Sequence, residues 1–107
     1  LGVKFTDNSK EVLAALDRAK KNALTAIGMT AEGYAKKETP VNTGRLRNSM
    51  SNATNGDSVY IGSNVEYAPY VEFGSIHNRH PAHMLQKAAT QHTSEYKSIA
   101  KDALENA

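Results

Sequence analysis

Four histidines are the residues best equipped for chemistry. His77, His80 and His83 fall three apart, and His92 follows. Imidazole nitrogens suit zinc, nickel or copper. Pro81 stands between His80 and His83, so the three do not share a helical face, and no Cys or paired Glu completes a tetrahedral set. They read as a polar loop and helix start rich in His, and no metal ligand is assigned. The chain has no cysteine at all, which removes disulfides, thiolate zinc sites and cysteine nucleophiles. A G-x-S-x-G elbow is missing. The carboxylates are scattered, and Gly56, Gly62 and Gly74 stand at turn-like points, not in a phosphate-binding loop. No catalytic residue and no cofactor is expected.

The densest basic stretch is Lys36, Lys37, Arg45 and Arg47, opposed only by Glu38. It could contact phosphates. The whole chain sets 13 basic against 11 acidic residues, a net charge of +2, which is too balanced for a general nucleic-acid binder. A solvated surface, or pairing with acidic residues of a partner protein, is the better reading. Asn52-Ala53-Thr54 matches a glycosylation sequon, but no signal peptide accompanies it. No apolar run approaches the ~18 residues of a membrane helix. The opening residue is Leu1, not Met, as expected if leading residues are missing or processed.

These residues must be positioned by a small α+β scaffold. The length of 107 residues suits one domain spanning 1–107. Leu1, Val3 and Phe5 alternate as in a short strand. Asn8 with Glu11 resembles a capping box, and one long helix then runs to about Lys37. Leu13, Leu16, Ala19, Ala23, Ile27, Ala31 and Tyr34 fall on one of its faces. Thirty residues at ~1.5 Å rise span ~45 Å, long for so small a domain. Gly28 and Gly33 mark a bend or a close approach of another backbone, and Pro40 ends the helix. Thr43 and Gly44 suit a cap, a turn or a helix start. Ser49–Thr54 and Ser58–Ser63 flank Asn55-Gly56, the preferred pair of a type I′ hairpin turn. Val59 and Ile61 share one face of that hairpin.

Pro69 opens a short helix in which Tyr67, Tyr70, Val71 and Phe73 supply the apolar side and Gly74 the stop. Its aromatics are expected to press into the core, against Val59 or Ile61 and the long helices. After the loop 75–81, a last helix runs from about Ala82 to Asn106, with Leu85, Ala89, His92, Tyr96, Ile99 and Ala103 in step. The expected architecture is two long helices packed on a small antiparallel sheet with a β-hairpin and a short intervening helix.

Three segments carry a resemblance. Residues 40–47 read PVNTGRLR, residues 65–74 read VEYAPYVEFG, and residues 81–88 read PAHMLQKA. Their types, order and spacing resemble the tail-component family of tailed bacteriophages typified by the gene-ten product of a lambdoid coliphage. Met84 stands where that family commonly has Phe, and Gln86-Lys87 where Arg-Pro is usual; Met keeps an adaptable apolar plug. The resemblance marks Pro40, Gly44, Leu46, Tyr67, Tyr70, Phe73, Gly74, Pro81 and Leu85 as structural positions.

It also implies a virion structural protein made in the host bacterial cytoplasm, not an enzyme. Such a protein acts at the head–tail junction as a neck, connector, tail-terminator or tail-completion subunit. Its implied partners are other copies of itself in a hexameric or dodecameric ring, and the head-closure, tail-terminator or tail-tube proteins. DNA passing through would be touched only non-specifically, and no membrane is involved. The alternative is a nucleic-acid-contacting module lining the genome channel. Ring formation needs two different complementary surfaces. The candidates are the long helix around Gly28, Gly33 and Tyr34, the arginines Arg45 and Arg47, and the loop with Ser75, His77, Arg79 and His80.

Overall fold

The computed structural model describes residues 9–40, 44–74 and 80–106. The expected strand at Leu1–Phe5, the cap at Asn8, the possible cap at Thr43 and the loop residues Ser75, His77 and Arg79 lie outside them.

The spine is α1 (Ser9–Glu38), thirty residues long. Thr39 donates its side-chain hydroxyl to the Ala35 carbonyl at 2.5 Å, and Pro40 follows. The residues that α1 buries are all small: Ala19, Ala23, Gly28, Ala31 and Ala35. Small side chains let neighbouring elements approach the helix axis closely. The expected apolar face is therefore used, but only from Ala19 onward. Leu13 and Leu16 stay 66% and 43% exposed, because the last turns of the C-terminal helix cover this end of α1 only in part.

Two elements run back along α1 from its C-terminal end. One is the hairpin of β1 (Ser51–Asn55) and β2 (Ser58–Gly62), paired antiparallel from Ser51↔Gly62 to Asn55↔Ser58. It lies against α1 from Glu32, whose carboxylate accepts from the Asn52 amide at 3.3 Å, to Lys20, which pairs with Asp57 at the hairpin tip. A Cβ added at Gly28 would sit 2.7 Å from the Asn52 Oδ1 and 3.3 Å from a Val59 methyl. A close approach is thus made there by side chains of the chain's own hairpin, in place of another backbone. The register leaves Gly56 and Asp57 as the two loop residues, and only Gly56 has positive φ (61°). That is the pattern of a type II′ turn centred one residue later than the expected type I′ turn at Asn55-Gly56.

The other element is the C-terminal helical segment. It is not one helix from Ala82 but two, α4 (Met84–Thr90) and α5 (Thr93–Glu105), broken at Gln91 and His92. Both contact α1. Two short helices, α2 (Arg45–Ser49) and α3 (Ala68–Phe73), close the C-terminal end of α1. There the core gathers Ala35, Leu46, Met50, Val65, Ala68, Met84 and Ala88, with Tyr34, Ile61, Tyr67, Val71, Ala82 and Leu85 packed around them. The architecture is α+β as expected. In place of a second long helix it has several short ones. The radius of gyration is 19.2 Å, against about 13 Å for a compact chain of this length.

Candidate functional site

The three sequence segments of the resemblance meet at the C-terminal end of α1. Gly44 takes left-handed φ (77°) as the residue before α2, which turns the chain so that Leu46 enters the core at 5% exposure. Arg45, on the outside, grips both carboxylate oxygens of Glu66 at 3.0 Å and stands 5.5 Å from the Tyr67 ring centre. Through that hydrogen-bonded pair the guanidinium holds Glu66 below the usual carboxylate range, and Glu66 raises Arg45 in return. The first segment is thereby clamped to the second.

The second segment is clamped to the third through a residue that sequence reasoning missed. Glu72 is 3% exposed. Its carboxylate accepts the backbone N–H of Leu85 at 2.8 Å and of Gln86 at 3.2 Å. The first N–H groups of a helix have no partner within it, and a carboxylate there also meets the positive end of the helix dipole. Glu72 therefore caps α4 from across the fold. The Val71 and Glu72 carbonyls accept from the Ala82 and His83 N–H groups at 2.8 and 3.2 Å, completing the seam. A signal was present: α4 begins with His83-Met84-Leu85 and has no Ser, Thr, Asp or Asn to cap itself.

With Glu72 and Ala68 turned inward, the aromatics of α3 turn outward. Phe73 is 73% and Tyr70 60% exposed, and only Tyr67 packs on the core. This corrects the expectation that all three aromatics fill the interior. Phe73 instead borders a shallow groove of about 590 Å³ between β2, α3 and α4, whose walls include Ile61, Leu85 and Ala89. Tyr60 on β2, also exposed, joins this surface.

A second apolar surface lies toward the other end of the spine. Val12 and Leu13 are exposed on the first turns of α1, and Leu104 near the end of α5. Leu16, Ala23, Leu24, Ile27, Ala100 and Leu104 line an almost wholly apolar groove of about 400 Å³ between the two helices.

The other predicted positions divide as follows. Gly33 is exposed, with no atom within 4 Å of where a Cβ would stand. Tyr34 is half-buried. Its ring stacks on His92 with centroids 3.5 Å apart, and its hydroxyl donates to Glu95. That hydrogen bond first, then burial, raises its pKa. Arg47 and His80 are exposed, while Pro81 and Gly74 are half-buried at the two ends of the undescribed loop. His83 has left-handed φ (49°), and its Nδ1 is buried with no hydrogen-bond partner among the described residues. Within those residues no three His, Asp or Glu side chains group closely enough to hold an ion, and no helix is long and apolar enough to cross a membrane. In the basic stretch, Arg45 is paired with Glu66 and Lys36 with Glu32 at 3.5 Å.

No curated protein and no solved structure matches the chain. A family model does: that of "Bacteriophage HK97-gp10, putative tail-component", over residues 4–74. Its matched span holds the first two clamped segments and most of the first groove's lining, and it stops before α4. The chain belongs to the HK97-gp10-like family of phage tail components.

Proposed function

We propose that this tail-component protein is a structural subunit of the head–tail junction, a neck or tail-completion protein that joins or terminates the tail as part of a ring. In this reading it is made in the bacterial cytoplasm, ends in the virion, and works through surfaces and not through catalysis. One observation carries the reading: the subunit exposes two different apolar surfaces, on different elements. Tyr60, Tyr70 and Phe73 form one beside the core. Val12, Leu13, Leu16 and Leu104 form the other. The first lies on β2 and α3 and the second on α1 and α5. A head-to-tail contact joins unlike patches, and repeated under rotation it closes a ring. Apolar surface left in water is also what marks a protein that expects a partner.

The genome-channel alternative has less support. Two of the four residues in the basic stretch, Lys36 and Arg45, already face carboxylates of the same subunit. The test belongs in the virus that encodes the protein. Deleting the gene should leave filled heads and separate tails that fail to join. Supplying Leu13→Asp or Phe73→Asp protein should not rescue joining, although each folds. Complete, correctly joined particles from the deletion would refute the neck assignment.

A further inference from the structure

We infer that α5 is an exchangeable arm: on assembly it leaves the α1 groove of its own subunit and fills the same groove of a second copy. The inference extends the ring reading above by naming what crosses between neighbours. It begins with a helix break that the sequence does not demand. Residues 84–105 contain neither Gly nor Pro, and their apolar positions stay in step across the break. Only two residues depart from helical geometry. Gln91 is close to it, at φ −87° and ψ −7°, and His92 carries the bend at φ −126° and ψ 27°. That ψ lies about 70° from the helical value.

The bend is held from outside by a few groups. Tyr34 of α1 stacks on the His92 ring and donates its hydroxyl to Glu95. Tyr96 donates its hydroxyl to the Ala88 carbonyl. In an unbroken helix that carbonyl would instead accept the N–H of His92, four residues on. Without these contacts, the chain's own preference is one helix of 22 residues from Met84 to Glu105, and restoring helical angles at His92 swings α5 off α1.

What α5 leaves behind identifies the occupant. No residue of α5 is fully buried, so it gives up little by leaving. A helix of 13 residues is marginal alone, so α5 must lie on something. Its removal would widen the apolar groove lined by Leu16, Leu24 and Ile27. Ala100 and Leu104 of α5 form the facing wall of that groove, so the surface that matches the uncovered α1 face is α5 itself. A second copy supplies an identical α5, so exchange remakes the packing of α5 on α1, while the Ala88 carbonyl trades the Tyr96 hydroxyl for the helical His92 N–H, and a short hinge that can straighten favours exchange over return.

The test uses purified full-length protein and the absence of native cysteine. One preparation carries only Leu16→Cys, another only Leu104→Cys. Both positions are exposed and border the groove. The two are mixed, incubated at high concentration and treated with a short bis-maleimide, in the native hinge and with Gln91→Ala/His92→Ala. A chain bearing both cysteines is the control for reach, and circular dichroism confirms that each variant is folded. Exchange predicts a covalent dimer several-fold above that of either preparation alone, increased further by the hinge substitutions. A mixture that links no better than its separate components in both backgrounds overturns the proposal. No phage assembly enters this measurement, so its failure is distinct from failure of the neck assignment.

Discussion

The two ends of α1 are built on opposite principles. Around Ala35, four short elements converge, every segment shared with the family has a partner, and Met84 is wholly buried. Around Leu13, the helix carries apolar side chains into solvent, and its companions among the described residues are the hairpin tip at Lys20 and the last turns of α5. The contrast teaches where stability and function reside. The first region folds the chain, and the second leaves apolar side chains in solvent.

Substitutions in the first region should cost the isolated subunit most. Met84→Ala leaves a cavity at a fully buried site and should destabilise by about 2–5 kcal/mol in urea denaturation. A loss under about 1 kcal/mol would mean that this end is no true core. Next comes Glu72→Ala, which removes the acceptor of the Leu85 and Gln86 N–H groups. It should cost about 1–3 kcal/mol, and Glu72→Gln, which keeps an acceptor, should recover part of that.

Alkaline titration probes the junction between the regions. The Tyr34 pKa is raised, so the folded state favours the protonated phenol. Its contribution is complete below the ordinary tyrosine range and is lost as pH rises through the raised value. Thermal stability should fall there, and Tyr34→Phe should remove this component of the fall. Glu66 has the opposite sign: its lowered pKa gives a contribution present above the ordinary carboxylate range and lost as pH falls through the depressed value. That pair is exposed, so Arg45→Ala should barely alter the acid limb of the melting profile.

The smallest effects on the isolated subunit belong to the exposed aromatics and leucines. Phe73→Ala and Leu13→Ser should each change stability by no more than about 0.5 kcal/mol while impairing particle assembly. A large loss of subunit stability at either position would erase the distinction drawn above.

The extent to which the sequence disclosed this arrangement follows the range of the forces involved. The spacing of Ala19, Ala23 and Ala31 and the stop at Pro40 are local, and α1 ends where they say. The hairpin too is local, although its turn sits one residue later because Asn55 pairs with Ser58 and leaves Gly56 to supply the positive φ. The inward face of α3 was not legible. Aromatic residues outrank a glutamate in any hydrophobic pattern, yet a helix start thirteen residues further on needs the carboxylate of Glu72. Nor was the break at His92, whose ring stacks on Tyr34 from another helix. The candidate surfaces were half legible. Gly33 is open, Gly28 is committed to the hairpin, and the exposed leucines show only once the reach of the other elements is known.

Gly28 and Gly33 also forecast how freely the chain can vary. In a saturation library, position 33 should accept most residues, because open space surrounds it, and many would improve helix propensity over glycine. At position 28 even a methyl group meets Asn52 at 2.7 Å and Val59 at 3.3 Å. It would push aside the amide that holds Glu32, and larger groups would lift the hairpin from the helix. Two glycines five residues apart on one helix should thus differ in mutational tolerance, position 33 being nearly neutral and position 28 accepting small residues at some cost and large ones poorly.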